Sequence, residues 1–260
     1  MRIVTLIENT TERADLTAEH GLSLYMEACG KKILFDAGQS GAFADNAEKL
    51  GVDLSQVDFA VLSHGHYDHG GGMRRFLELN STAPLYINSG AFRAYHNAAG
   101  KYIGLDPTLM ECGRVILTDE YLEIAECVRL GSCNDCYRPW PTDSAGLTME
   151  VDGVRRPDDF QHEQYLLLEE DGKTVLISGC SHKGILNIAG WFQPGVLVGG
   201  FHFMKLDPGD ERLAQAARRL LAHPTTYYTG HCTGREQYDA MKRIMGDRLH
   251  SLTTGKEIII

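Results

Sequence analysis

Short apolar runs recur along most of the chain, and glycine, proline or acidic residues separate one run from the next. Runs that alternate apolar and polar residues are typical of β-strands with one buried face, and short continuous apolar runs are typical of strands buried on both faces. The pattern predicts strands at residues 2–7, 22–27, 31–35, 59–62, 84–87, 115–117, 121–124, 127–130, 165–169, 174–178, 196–198, 225–229, 249–252 and 257–260. The chain is therefore expected to be rich in short strands.

Helical spacing of apolar residues occurs between several of these strands. It predicts helices at residues 40–50, 73–79, 183–192, 210–223 and 235–245. The helix at 73–79 lies between two predicted strands, which is typical of a βαβ-like step. The Gly30-Lys31 and Asp171-Gly172 dipeptides are turn signals that favour antiparallel hairpins.

Two stretches have a weaker pattern. Residues 88–113 mix aromatic residues with Gly and Asn, which fits either a helix and a loop over a functional site or, preferably, a surface excursion anchored by aromatic side chains. Residues 131–160 are poorly patterned and contain several prolines. We interpret them as an excursion at a sheet edge or over a functional site, and not as a linker.

Composition narrows the class of protein. The chain has 260 residues, 43% of them hydrophobic, which suffices for one large domain over residues 1–260. Its formal net charge of −10 argues against a nucleic-acid partner, because binding of phosphates needs a basic surface. No apolar run approaches the roughly 20 residues that cross a bilayer, and the amino terminus lacks a signal-peptide pattern. These features predict a cytoplasmic protein with no membrane partner.

The chain contains seven cysteines, and an odd number without an export signal favours free thiols over a disulfide framework. Cys133 and Cys136 form a CxxC pair, but no second pair lies at the spacing that a structural zinc site needs. Reduced, partly exposed thiols are the preferred interpretation, and a redox-labile disulfide is the alternative.

The densest chemistry lies directly after the apolar run at residues 59–62, where His64, His66, Asp68 and His69 fall within six positions. Alternate residues of an extended chain point to the same side, so His64 and His66 are expected to share one cation. Asp68 and His69 lie beyond a turn and suit a second cation. The following three glycines are expected to let the backbone bend tightly around both.

These residues resemble the metallo-β-lactamase superfamily, whose motif is His-x-His-x-Asp-His. Residues 179–184 and 230–234 resemble one branch of it in particular. That branch contains predicted metal-dependent hydrolases related to an archaeal enzyme that joins a dihydropterin to ribofuranosylaminobenzene phosphate. The resemblance implies an α/β (α+β) fold, a four-layer αββα sandwich formed by a single domain.

Two later histidines, His182 and His231, also follow predicted strands that end near glycine. By the resemblance, one divalent cation is bound by His64, His66 and His182, and a second by Asp68, His69 and His231. The superfamily usually has an Asp that bridges both ions at the end of the hairpin strand, but the matching position here is Gly179-Cys180. The sequence leaves three possibilities open: Cys180 is a ligand, the bridge is absent, or the second site is weak.

Other polar residues are candidates for supporting roles. Asp36 at a strand end is placed either to orient a ligand histidine or to cap the helix at 40–50. Glu8 and Asn9 either face the rim of the sheet or serve as turn formers. His202 follows an apolar strand and is a candidate to position substrate or donate a proton. The remaining histidines are expected to be structural or exposed: His20, His96, His162, His223 and His250.

Paired cations lower the pKa of a shared water toward about 7, so the expected function is a hydrolase that uses a metal-activated hydroxide on a small ester or phosphate-type substrate. Asp68 and His202 are the expected catalytic residues. Imidazole and carboxylate ligands suit Zn²⁺ best, with Mn²⁺ or Fe²⁺ as alternatives.

The substrate is expected to be an anionic small molecule. The alternatives are a transferase that couples a dihydropterin diphosphate to an arylamine, and a non-catalytic metal-binding protein. The sequence does not indicate an oligomeric state.

Overall fold

The computed structural model describes residues 1–260. Its strands are β1 (Arg2–Ile7), β2 (Ser23–Ala28), β3 (Lys31–Phe35), β4 (Phe59–Leu62), β5 (Leu85–Asn88), β6 (Tyr95–His96), β7 (Val115–Thr118), β8 (Tyr121–Ala125), β9 (Val128–Gly131), β10 (Thr148–Val151), β11 (Val154–Pro157), β12 (Tyr165–Glu170), β13 (Lys173–Ile177), β14 (Val196–Val198), β15 (Thr226–Thr229), β16 (Leu249–Ser251) and β17 (Glu257–Ile259). Its α-helices are α1 (Ala42–Lys49), α2 (Tyr67–Gly70), α3 (Met73–Leu79), α4 (Ile185–Phe192), α5 (Glu211–Leu220) and α6 (Arg235–Met245). Every predicted strand and helix is present, and no end differs from the prediction by more than three residues.

Most strands belong to two seven-stranded sheets. The first has the order β17-β1-β2-β3-β4-β5-β7, and the second has the order β16-β15-β14-β13-β12-β9-β8. In each sheet one side is antiparallel and the other is parallel: β3, β4, β5 and β7 run parallel in the first, and β13 to β16 run parallel in the second. The antiparallel hairpin β12–β13 confirms the turn signal at Asp171-Gly172. The hairpin β2–β3 is also present, but its turn residues are Cys29 and Gly30, because Lys31 already pairs with Ala28 in the sheet.

Three layers of apolar side chains separate four layers of secondary structure. One apolar layer lies between the first sheet and helices α1 and α3, one lies between the two sheets, and one lies between the second sheet and helices α4, α5 and α6. Alternate residues of a strand face different layers: in β3, Ile33 and Phe35 pack between the sheets while Leu34 packs toward the helices. The structure therefore confirms the αββα sandwich.

A small third sheet corrects part of the sequence analysis. Residues 88–113 contain no α-helix; short 3₁₀ turns at Ser89–Phe92 and Pro107–Glu111 flank β6. Residues 131–160 contain the β10–β11 hairpin, which pairs with β6 in the order β11-β10-β6. All four residues of β11 are exposed, so the segment lacks the apolar alternation that marks a half-buried strand. Tyr95 is buried and donates its hydroxyl to the Gly90 carbonyl at 2.6 Å, which fits the expected aromatic anchor.

The seven cysteines are free thiols, and Cys133 and Cys136 are half-buried. None of the helices is both long enough and apolar enough to cross a lipid bilayer.

Candidate metal centre

The candidate ligands lie on loops that leave the carboxyl ends of strands. In the first sheet β4 is followed by His64 and His66. In the second sheet β13, β14 and β15 are followed by His182, His202 and His231, respectively. Because the carboxyl ends of parallel strands meet at one edge of a sheet, the sandwich gathers these loops at a common rim.

His64, His66 and His182 form one compact group. Their metal-binding atoms lie within 4.8 Å of one another, and all three side chains are buried. Nε2 of His64, Nε2 of His66 and both ring nitrogens of His182 have no hydrogen-bond partner. Buried polar atoms nearly always have a partner, so several unpartnered nitrogens at one place fit a bound cation. The donor set is therefore suited to a divalent metal ion.

The buried carboxylate of Asp36 fixes two of the histidine rings. Its Oδ1 accepts from the Ser63 backbone N–H at 2.7 Å, and its Oδ2 accepts from the Ser63 hydroxyl at 2.7 Å and from His69 Nδ1 at 2.6 Å. Since the hydroxyl proton is used, Ser63 Oγ accepts from His64 Nδ1 at 2.8 Å. Both rings therefore keep their Nε2 lone pair for another partner. The alternative role of Asp36 as a helix cap is wrong, because Gly41 is the N-cap of α1.

A second group lies beside the first. His20 Nε2 and His231 Nε2 are 3.3 and 3.5 Å from Asp68 Oδ2. His69 Nε2 is 3.1 Å from His231 Nε2. Asn9 Oδ1 accepts from His231 Nδ1 at 2.9 Å, so the Nε2 lone pair of this ring is also left free. The structure thus brings the three residues expected at a second cation together, and it adds His20 at their exposed side.

Cys180 lies between the two groups. Its Sγ is 3.2 Å from His69 Nε2, and it belongs both to a potential metal-binding group with His64 and His69 and to another with His231 and Cys232. Burial raises the pKa of the Cys180 thiol well above its usual range, and the neighbouring Cys232 adds to this effect. The position expected for a bridging carboxylate therefore holds a buried thiol.

His162 is close to the first group, but both of its ring nitrogens are used. Its Nδ1 accepts from the Gly65 backbone N–H at 2.8 Å, and its Nε2 donates to Asp158 Oδ2 at 3.2 Å. Asp158 Oδ2 also lies 3.7 Å from Nε2 of His66. His162 therefore supports the ligand loop, in agreement with the structural role expected for it.

Electrostatics favour neutral rings at four histidines beside an ionised carboxylate. At His69, burial alone would lower the pKa, but the Asp36 carboxylate outweighs burial and raises it. Burial lowers the pKa of His64 and His182 well below the usual value, with further lowering by neighbouring imidazoles. Burial also lowers the pKa of both His202 and His231 to about 4. Burial alone would raise the pKa of Asp68, but hydrogen bonds from two flanking imidazoles outweigh it and hold that pKa well below its usual range. Neutral imidazole and carboxylate are the forms that bind metal ions.

Two buried glutamates hold the backbone of the ligand loops. Glu163 accepts from the backbone N–H groups of His182 and Lys183 at 2.7 and 3.0 Å. Glu8 accepts from the backbone N–H of His231 at 2.6 Å. Each glutamate lies in a different part of the chain from the loop that it holds, so the loops are fixed by tertiary contacts.

Several non-glycine residues around the centre have left-handed backbone conformations. Asp36, Ser181, His202 and His231 have φ angles of 58°, 58°, 56° and 50°. Each such conformation costs about 1–3 kcal/mol and persists only where surrounding contacts impose it. The turn at Ser181 lets both Cys180 and the following histidine reach the centre although the chain is not extended there.

The glycines of the first motif act differently from the expectation. Gly71 and Gly72 have φ angles of −62° and −79°, which any residue adopts. A Cβ at Gly72 would collide with the Ala37 carbonyl oxygen, and one at Gly65 would collide with the Ala91 carbonyl oxygen. These glycines therefore permit close packing of neighbouring segments and are not needed for a tight bend.

A cavity of about 320 Å³ opens beside the centre and includes His182 and His202 in its wall. The ring centroids of these two histidines are 4.4 Å apart. His202 therefore lies where the cluster of metal-competent residues meets the space available to a small molecule.

Sequence reasoning missed several supporting residues, among them Ser63, Glu163 and His20. Ser63 directly precedes the motif, and Glu163 lies two residues before a predicted apolar strand, but neither position indicates which residue it contacts. Their roles depend on contacts with Asp36, His182 and Asp68, which only the assembled fold brings near.

The chain matches the family model of the metallo-β-lactamase superfamily over residues 16–231. It is 30% identical over 243 residues to an uncharacterized protein of Methanocaldococcus jannaschii, covering 89% of this chain and 90% of that protein. It is 26% identical over 286 residues to the 7,8-dihydropterin-6-methyl-4-(beta-D-ribofuranosyl)-aminobenzene-5'-phosphate synthase of the same organism, covering 99% of this chain and 96% of the synthase.

The fold shows the same relationship. A crystal structure of a metal-dependent hydrolase of the beta-lactamase superfamily superposes with a TM-score of 0.84 and 28% identity, covering 100% of this chain and 99% of that chain. The family model, the relatives and the fold agree with the motif at His64 to His69. The chain belongs to the metallo-β-lactamase superfamily.

Proposed function

We propose that the protein is a metal-dependent hydrolase that binds two divalent cations and cleaves an ester or phosphate-type bond of a small anionic molecule. The observation that carries the proposal is the group of His64, His66 and His182, in which four buried ring nitrogens have no hydrogen-bond partner in the protein. The similarity to a metal-dependent hydrolase over the full chain supports it.

In this proposal His64, His66 and His182 hold one cation, and Asp68, His69 and His231 hold the other. Divalent cations bound there would polarise a substrate oxygen and lower the pKa of a water molecule toward about 7. Imidazole and carboxylate donors suit Zn²⁺ best and also accept Mn²⁺ or Fe²⁺. Asp36 and Asn9 keep three of the imidazoles in the tautomer that binds metal through Nε2.

Asp68 and His202 are assigned separate tasks. Asp68 supplies a negative charge at the second cation. His202 faces the cavity and, with a pKa of about 4, is neutral at pH 7. A neutral imidazole donates one hydrogen bond, so His202 is suited to position a substrate oxygen rather than to act as a charged acid.

A transferase is the second candidate, because the synthase of Methanocaldococcus jannaschii is similar over nearly the whole chain. The same residues would then serve a reaction in which an arylamine displaces a diphosphate from a dihydropterin. A substrate screen with phosphodiesters in one arm and a dihydropterin diphosphate plus an arylamine in the other separates the two functions. Metal-dependent turnover in either arm excludes a non-catalytic metal-binding protein.

The first prediction concerns stoichiometry. After saturation with Zn²⁺ and removal of loosely bound metal, each chain is expected to retain about two ions. His64, His66 and His182 form one group of donors, and Asp68 and His231 belong to a second group beside it. Atomic absorption or mass spectrometry under native conditions measures this value. Retention of fewer than about one ion per chain would contradict the two-ion proposal.

The second prediction is that Asp68→Asn lowers kcat/KM by at least about 100-fold on the substrate that the screen identifies, because the substitution removes charge at the second cation but keeps the volume. The matched control is Asp239→Asn, which changes an exposed aspartate on α6. Both variants should keep the wild-type far-ultraviolet circular dichroism spectrum, which shows that the fold is intact. Equal activity of the two variants at saturating metal would rule out the role of Asp68.

The third prediction separates His182 from Cys180. We expect His182→Ala to lose one bound ion, because both of its ring nitrogens are unpartnered within the first group. Cys180→Ala is expected to retain both ions. Metal analysis of the two variants decides the point, and loss of an ion only from Cys180→Ala would exchange the roles of the two residues.

A further inference from the structure

The cavity beside His182 and His202 extends away from the metal centre between loops and helices. Its walls are formed by residues 140–145, residues 201–206 and the facing parts of α4 and α5. Its volume of about 320 Å³ lies at the lower end of the usual range for small-molecule sites. A substrate whose reacting bond lies at the centre would therefore have its remaining part in this cavity.

Apolar side chains form much of the wall. Ile185, Phe201 and Phe203 line the cavity together with Trp140 and Leu206. Phe201 is buried and Phe203 is half-buried, so both rings are held in place by packing. Such a surface binds a flat apolar group by removing it and the wall from water.

Positive charge lines the same cavity, although the chain carries a net charge of −10. Arg212 is paired with Asp210 at 2.6 Å and is already neutralised. Lys205 donates only to the Ala145 carbonyl at 3.2 Å, and Arg219 has no hydrogen-bond or carboxylate partner. Asp143 is the acidic residue in the wall, so the two remaining cations leave a local excess of positive charge.

The side chain of Arg219 is exposed, and its guanidinium lies over the ring of Trp140. Its Cζ lies 3.6 Å from the centroid of the Trp140 ring, which is a stacked cation–π contact. Stacking uses the face of the guanidinium and leaves the N–H groups at its edge free. A planar fork of this kind binds a carboxylate or phosphate through two parallel hydrogen bonds.

We propose that this cavity binds the non-reacting part of the substrate, and that this part consists of a planar apolar ring with a terminal oxyanion bound by Arg219. The inference rests on the proposed function, because it places the reacting bond at the metal centre. It adds that the substrate is anionic at the end remote from the reaction. Phosphate and carboxylate share the required chemistry, and the test distinguishes them.

Binding is measured without turnover. The chain has two tryptophans, and Trp191 is not part of the cavity wall, so a Trp191→Phe background leaves Trp140 as the fluorescent reporter. The metal-loaded protein is titrated with phenylphosphonate, which has no ester bond to cleave, and with benzoate, benzyl alcohol and inorganic phosphate. At least one of the two aromatic anions is expected to saturate the signal with an affinity about tenfold or more above those of benzyl alcohol and inorganic phosphate, and the tighter one identifies the oxyanion.

The decisive variant is Arg219→Gln in the same background. It is expected to weaken the tighter aromatic anion about tenfold and to leave benzyl alcohol unchanged, since a charge-assisted contact is lost and the apolar wall remains. The matched control is Arg218→Gln, an exposed arginine of α5 outside the cavity wall, which should bind like the background protein. Equal affinities in the two variants, or no saturable binding of either aromatic anion, would overturn the inference.

The two proposals fail in different ways. Binding that depends on Arg219 in a protein without metal-dependent turnover would leave the ring-and-anion site in place and remove the hydrolase. Metal-dependent turnover combined with binding that is independent of Arg219 would keep the hydrolase and remove the ring-and-anion site.

Discussion

The buried carboxylate of Asp36 is the interaction on which the geometry of the centre depends. It accepts hydrogen bonds from the Ser63 backbone N–H, the Ser63 hydroxyl and His69 Nδ1. Through Ser63 it also fixes the ring of His64. One carboxylate therefore fixes rings that belong to both groups of metal-competent residues. Because an imidazole binds metal through whichever nitrogen lacks a proton, control of the tautomer is control of the donor atom. Asp36 holds this position in a left-handed backbone conformation that the surrounding contacts impose.

The αββα sandwich provides the rest of the arrangement by bringing strand ends from both sheets to one rim. Glu8 and Glu163 hold the backbone of the ligand loops, since each accepts hydrogen bonds from backbone N–H in a different part of the chain. The cavity lies beside this rim, with His202 between the cluster and the apolar wall. The fold thus combines a rigid set of donor atoms with a separate space for a substrate.

Much of the fold can be predicted from local sequence patterns. Alternating and helical patterns of apolar residues predict the strands of the two large sheets and the helices that pack on them, because those elements have apolar faces. The β10–β11 hairpin escapes detection because β11 is exposed on both faces. The motif at His64 to His69 identifies the centre by density alone. The contributions of Glu163, His20 and Arg219 are invisible in sequence, since each depends on a partner distant in the chain that only the fold supplies.

The central proposal is that two adjacent groups of metal-competent side chains bind two divalent cations. Anomalous X-ray scattering from crystals of the Zn²⁺-loaded protein, recorded on both sides of the zinc absorption edge, tests it most directly. The account predicts two edge-specific peaks, one among His64, His66 and His182 and the other beside Asp68 and His231. If one group or both lacked an edge-specific peak while the rings were ordered as described, the result would contradict the account.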